Sequence, residues 1–206
     1  MQEKSLKVDK IQAIEILDSR GYPTISCRLE LSDGSYGLAN VPSGASTGTF
    51  EACELRDQDS ARYLGKGVIR ARDNIHQIIA PELCGKSWLS QEAVDKRICD
   101  LDGSENKSTL GANAILAVSL AFARAQASAH KLALYHWLDR SATTLPVPLM
   151  NVINGGRHAH NNLAIQEFMI MPHGFTHFSE AIRAGAEITH ALGKRFTCGR
   201  RGDEGG

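Results

Sequence analysis

The chain has 206 residues, of which 42% are hydrophobic and 22% charged, proportions typical of a folded globular protein rather than a disordered chain or a repeat array. Its 23 lysines and arginines balance its 23 aspartates and glutamates, so no net charge attracts nucleic acid or an anionic membrane surface. We therefore expect a small-molecule or protein partner.

The first forty residues predict a meander of three antiparallel strands. An apolar segment at about 11–17 ends at the turn sequence DSRGYP, and alternating apolar residues from Ile25 to Leu31 are typical of a half-buried strand. Asp33 and Gly34 form a strong hairpin signal, after which a third strand is expected at about 35–41.

The pattern then becomes helical. Apolar residues recur at helical spacing up to a stop marked by Pro81 and Gly85, and another helix is expected to start near Ser90. The alanine-rich stretch from Leu110 to about His130 is apolar on most faces, as expected of a central helix. Strands followed by helices predict an α+β domain.

A second pattern begins after Pro146 and Pro148. The segment VPLMNVI predicts a short buried strand before the glycine-rich loop NGG, and AIQEFMIMP predicts a second strand. A helix at about 179–194 and a weak third strand before GDEGG follow. This order predicts the start of a barrel or of a parallel sheet.

Two loops carry candidate chemistry. PSGASTGTFEA, at 42–52, offers amides and hydroxyls that suit a phosphate or a hard cation, although such loops are more often plain connectors. NGGRHAHNN places His158 and His160 one residue apart, but a single H-x-H without a thiolate is weak support for zinc. A polar loop with one useful imidazole is the favoured interpretation.

Acidic residues stand at two predicted strand ends. Gln166 and Glu167 lie inside an otherwise apolar strand, so Glu167 is either solvated near the strand end or buried and able to act as an acid. Glu204 in GDEGG has the same two interpretations, because acidic turns between glycines are also common on surfaces. The two glutamates converge only if the fold brings their strands together.

Cysteine usage and the terminal segment bear on location. The five cysteines are scattered and never spaced C-x-x-C, which argues against a disulfide framework and a zinc site. The opening MQEKSLKVDK lacks the apolar centre of a signal peptide, and the most apolar run, 110–123, is shorter than the roughly 20 residues of a membrane span. These features predict a cytoplasmic protein without a membrane span.

Several blocks of sequence together resemble enolase, the phosphopyruvate hydratase of glycolysis. In chain order they are EILDSRGYPT, VPSGASTGTFEACELRD, YLGKGV, DGSENKSTLGANAILAVSLA, PVPLMNVINGGRHA, IQEFMI and GDEGG. The resemblance implies an N-terminal α+β domain at 1–144 and, at 145–206, the first strands of an incomplete (β/α)8 barrel. It also implies a lyase that converts 2-phosphoglycerate reversibly to phosphoenolpyruvate with Mg²⁺.

The resemblance assigns roles to five residues. Ser46 resembles the loop ligand of the second magnesium, His158 a histidine near the substrate, and Gln166 a substrate-contacting glutamine. Glu167 and Glu204 resemble the glutamates that assist loss of the hydroxyl, with Glu204 as proton donor.

The resemblance also implies what the 206 residues lack. A complete barrel takes about 250 residues, and the lysine base, the carboxylates of the first magnesium and the phosphate-gripping residues belong to later strands. Arg200 and Arg201 stand where the family has apolar residues. We therefore expect a chain that is inactive alone and is completed by the missing half, with homodimers possible. The alternative is a non-catalytic remnant that binds a protein partner.

Overall fold

The computed structural model describes residues 6–44 and 47–196. The chain divides into two compact units, with the division between Ala142 and Thr143. Ser46 and Glu204, two of the five predicted site residues, lie outside the described residues. Each unit is described by itself below.

The first unit begins with the predicted meander, which is confirmed. Strands β1 (Val8–Leu17), β2 (Pro23–Leu31) and β3 (Tyr36–Asn40) form an antiparallel sheet in the order β1-β2-β3. The turn between β2 and β3 requires Gly34, whose φ of 82° is accessible to glycine without strain. Its N–H donates to the carbonyl of Leu31 at 2.9 Å.

Helices follow the sheet, as the sequence predicts. They are the 3₁₀ turn Tyr63–Gly65, α1 (Ile69–Asn74), a π-helical turn (Ile75–Ile79), α2 (Ala80–Leu83), α3 (Gln91–Asp102), α4 (Ala112–Ala129) and α5 (Leu134–Leu138). Helix α3 begins where expected, because the Ser90 hydroxyl oxygen accepts from the Ala93 N–H at 3.1 Å and caps the helix.

The first helical run passes through Pro81 and ends at Leu83, just before Gly85. Proline has no N–H to donate to the preceding turn, so it normally ends or kinks a helix. Here the wide π-helical turn stands immediately before it, at the place where the regular hydrogen-bond ladder has to change.

The core of the first unit lies between the inner face of the sheet and α4. Alternate residues of the strands are buried against the helices, and Phe122 of α4 is 1% exposed. Strand β3 passes so close to α4 that a Cβ on Gly37 would lie closer than 3.0 Å to backbone atoms of Ala121 and Ala125. The alanines of α4 and the missing side chain at Gly37 together allow this approach.

The second unit contains two strands and one long helix: β4 (Met150–Asn154), the 3₁₀ turn Gly156–His158, β5 (Glu167–Ile170) and α6 (Phe178–Arg195). The two strands pair antiparallel, so of the two predicted alternatives the parallel sheet is wrong, and the start of a barrel is the one that stands. Parallel neighbours need a crossover, usually a helix, whereas β4 and β5 are joined by a loop that holds only one 3₁₀ turn. The predicted third strand, with Arg200 and Arg201, lies outside the described residues.

Four cysteines fall within the described chain, and all are free thiols: Cys27, Cys53, Cys84 and Cys99. Burial in the sheet core raises the pKa of the Cys27 thiol to about 12. In residues 6–44 and 47–196, no helix combines the length and apolar character needed to cross a membrane.

The close approach at Gly37 generates a stability prediction. We expect Gly37→Ala to destabilise the first unit by about 1–3 kcal/mol, because the added methyl group overpacks against the backbone of α4. Urea unfolding followed by tryptophan fluorescence measures this, since both tryptophans, Trp88 and Trp137, lie in that unit. Gly48→Ala is the matched control, because the nearest atom to its Cβ is 3.8 Å away. Equal midpoints for the two variants would contradict the packing argument.

An ion pair joins the sheet to the segment before α1. Glu15 of β1 contacts the Arg62 guanidinium through both carboxylate oxygens and accepts the Val68 N–H at 3.1 Å. The hydrogen bond from Arg62 lowers the pKa of Glu15 below its ordinary 4.5, against the opposing effect of burial. A lowered pKa means that the stabilisation is complete above pH 4.5 and is lost as the pH falls through the lowered value.

We accordingly expect Glu15→Gln to reduce stability at pH 7 by about 1–2 kcal/mol, since Arg62 is partly exposed and the pair is partly screened by solvent. The difference from the unmodified chain should shrink as the pH falls below 4.5. Urea midpoints at pH 7 and at acidic pH measure it, with exposed Glu105→Gln as the control. A difference that does not change with pH would rule out the charged pair as its source.

Candidate active site

The loop between β4 and β5 folds back on itself through two glycines. The Gly155 N–H donates to the Gln166 carbonyl at 2.9 Å, and the Gly156 N–H donates to the Leu163 carbonyl at 2.8 Å. A Cβ on Gly155 would lie 2.6 Å from the Cβ of Leu163, and Gly156 has a φ of 54°. Both positions therefore favour glycine, which accounts for the NGG sequence.

This closure places His158 beside the start of β5. The imidazole is buried, with the residue 5% exposed, and stands between Gln166, which directly precedes β5, and Glu167, the first residue of β5. Its Nε2 lies 3.1 Å from the Gln166 amide nitrogen, and its Nδ1 lies 3.1 Å from Glu167 Oε1. His158, Gln166 and Glu167, predicted from scattered motifs, thus form one cluster, which we call the His158 cluster.

The His158 cluster implies one form of the ring. The Gln166 amide nitrogen can only donate, so Nε2 has to accept and carries no hydrogen. A neutral ring then bears its hydrogen on Nδ1, which faces the Glu167 carboxylate. His160, the other half of the H-x-H motif, is exposed.

Asparagines surround the end of β4, and the sequence analysis did not find them. The Asn161 amide donates to the Asn154 carbonyl at 2.8 Å, and the Asn151 amide donates to the Asn154 side-chain oxygen. Asn154 is itself buried, at 3% exposed. The segment MNVINGGRHAHNN contains more asparagines than one tight turn requires, and this excess is the sequence feature that could have indicated them.

In the first unit, hydrogen bonds anchor the beginning of the loop that carries Ser46. Arg20 donates to the carbonyls of Ser43 and Gly44 at 3.0 and 3.2 Å. Arg56 donates to the Ser43 hydroxyl at 3.2 Å and is paired with Glu54 at 2.7 Å. No motif singled out either arginine, because the loop oxygens that they contact belong to the backbone or to a hydroxyl and are distant in sequence.

Asp18 holds Arg20 in place at this loop. Its carboxylate accepts the N–H groups of Arg20 and Tyr22 at 2.8 and 2.9 Å and pairs with the Arg20 guanidinium. Burial raises the pKa of Asp18, but these donors and the guanidinium charge outweigh that effect and lower it. The carboxylate is therefore charged at neutral pH and fixes the arginine that anchors Ser43 and Gly44.

A metal site does not emerge from the described part of the chain. Within residues 6–44 and 47–196, no three His, Cys, Asp or Glu side chains come close enough to share an ion. The predicted ligand Ser46 lies outside these residues, so its role stays a prediction.

Two protein-family models match the chain. The enolase N-terminal domain matches residues 8–138, and the enolase C-terminal TIM barrel domain matches residues 142–206. The first match covers the meander and the helices α1 to α5, and the second covers the His158 cluster.

The ring form of His158 can be measured. We expect ¹⁵N NMR to find hydrogen on Nδ1 and none on Nε2, because Gln166 donates to Nε2. Gln166→Leu removes the donor and should shift the ring toward a mixture of tautomers, while exposed His190 serves as an unaffected reference. A His158 ring with hydrogen on Nε2 in the unmodified chain would contradict this arrangement.

Proposed function

Because this chain belongs to the enolase family, we propose that it serves the reversible dehydration of 2-phosphoglycerate to phosphoenolpyruvate, the lyase step of glycolysis. The observation that carries this proposal is the His158 cluster, in which a buried imidazole joins a glutamine and a glutamate at the end of β4. Loss of a hydroxyl needs an acid and a site that orients the substrate, and this cluster offers both kinds of group.

Each residue of the His158 cluster has a proposed task. Glu167 assists departure of the hydroxyl, and the Nδ1–H of His158 orients its carboxylate from 3.1 Å. Gln166 uses one amide hydrogen on His158, and its second can donate to a substrate oxygen. Glu204 completes the set as proton donor in this proposal.

Magnesium is part of the proposed reaction because the family uses it. When bound, such an ion stabilises negative charge that develops on the substrate. Ser46 is the one ligand that we propose from this chain. Since the described residues lack a ligand cluster, we assign no step of the reaction to the ion.

We further propose that the 206 residues need the remaining barrel strands, in the same or another polypeptide, for activity. In the second unit, apolar side chains remain exposed on both faces of β5, with Phe168 at 40% and Met169 at 47%. Helix α6 exposes Phe178 and Ile182 to the same extent as Phe168. Further strands and helices would bury such surfaces in a closed barrel.

The proposed setting is the cytoplasm, where the free thiols of the described cysteines would stay reduced. The proposed partners are 2-phosphoglycerate, phosphoenolpyruvate, the missing half of the barrel and a second copy of the chain. The second candidate function is a non-catalytic protein-binding module. Its support is the complete core of the first unit together with exposed Ile14 and Leu38 on the outer face of the sheet.

An activity assay separates the two functions. We expect no turnover of 2-phosphoglycerate by the 206-residue chain alone, and magnesium-dependent turnover once the second half of an enolase is added. In that mixture Glu167→Gln should lower kcat by about 10²–10⁴-fold, the usual contribution of a general acid or base.

Glu180→Gln, an exposed glutamate of α6, is the matched control and should retain activity. Turnover by the chain alone would refute the need for the later strands. If the mixture shows no turnover although the added half is folded, the protein-binding module is favoured.

A further inference from the structure

We propose that Asn154 is a further substrate-binding residue, which donates its side-chain N–H to an anionic oxygen of bound phosphoglycerate. The inference rests on the proposed function, since it names an additional contact in the same site. Four observations lead to it: the burial of Asn154, the lack of a protein partner for its side-chain N–H group, the pairing of β4 with β5, and a bulge in β4.

Asn154 is buried, and one of its polar groups lacks a protein partner. Its side-chain oxygen accepts from Asn151, and its backbone carbonyl accepts from Asn161 at 2.8 Å. Its Nδ2 group has no hydrogen-bond partner among the described residues, although the residue is 3% exposed. Buried amide groups are nearly always paired, so this donor is expected to meet a partner that is not part of the described chain.

Strand register shows which side of the sheet this amide occupies. Asn154 pairs directly with Glu167, and residues opposite each other in an antiparallel pair project from the same face. Glu167 is the residue whose carboxylate lies 3.1 Å from His158 Nδ1. The Asn154 side chain therefore projects from the face that carries the carboxylate of the His158 cluster.

An irregularity in β4 fixes the orientation of the amide. The register shifts between Asn151 and Ile153, so Val152 is an extra residue without a partner on β5. This bulge puts Asn151 on the face of Asn154, where regular alternation would have placed the two on opposite faces. Asn151 then donates to the Asn154 oxygen, and that bond turns Nδ2 away from Asn151.

The chemistry of the orphan group limits what can bind it. An amide N–H can only donate a hydrogen bond, and the bonds that it donates are strongest when the acceptor is negatively charged. Phosphoglycerate carries carboxylate and phosphate oxygens, and the second hydrogen of Gln166 is available to the same ligand. A buried water is the competing partner for Nδ2, and it would remain when the substrate binds.

Side-chain amide NMR tests the proposal without depending on a variant's stability. The 206-residue chain, labelled with ¹⁵N at asparagine and glutamine, is combined with the unlabelled second half of an enolase, and 2-phosphoglycerate is added. Asn154→Asp and Gln166→Glu serve to identify the two amide signals. We expect both the Asn154 and the Gln166 signals to move on addition of the substrate.

The outcomes separate this inference from the proposed function. If the Gln166 signal moves and the Asn154 signal does not, the role of Asn154 is overturned and the proposed function stands. The same holds if the Asn154 amide stays bound to a water molecule. If neither signal moves, the site does not bind phosphoglycerate in this form and both proposals fail.

Affinity gives the second measurement. We expect Asn154→Ser, which shortens the side chain and withdraws the donor, to weaken 2-phosphoglycerate binding about ten- to a hundredfold, as for a lost hydrogen bond to a charged group. Asn162→Ser, at an exposed asparagine of the same loop, is the matched control and should change affinity less than twofold. Equal affinities for the two variants would overturn the proposal.

Discussion

The antiparallel pairing of β4 with β5 is the constraint on which the candidate site depends. Asn154 faces Glu167 in this pairing, and the hydrogen bond from Gly155 to the Gln166 carbonyl continues it into the loop. The loop has to close tightly at the two glycines, and that closure brings the His158 ring against β5. A buried imidazole with a donor on one nitrogen and a carboxylate on the other follows from backbone geometry, before any substrate is considered.

The sequence predicted some features well because they depend on local pattern. Alternation of apolar residues and the Asp33-Gly34 turn define the meander, and alanine content predicts the central helix α4. The family resemblance predicted that His158, Gln166 and Glu167 belong to one site. The residues alone left two interpretations of Glu167 open. The parallel sheet, one of two predicted alternatives for the second unit, is wrong, because apolar runs reveal strands without indicating which way neighbouring strands run.

Other features were out of reach for physical reasons. The roles of Arg20 and Arg56 depend on carbonyl and hydroxyl oxygens of Ser43 and Gly44, and such acceptors leave no mark in a motif. The need for glycine at position 37 depends on the backbone of α4, more than eighty residues later in the chain. Contacts of this kind exist only once tertiary structure has formed.

The bulge at Val152 has a consequence for how this segment tolerates change in length. Deleting Val152 would restore regular alternation and leave Asn151 two positions from Asn154, so both would still project from the face of Glu167. The strand could stay paired, and the polar network at its end could persist without the bulge. A loss of one codon at the bulge would therefore be less damaging than its place inside a strand of the candidate site suggests.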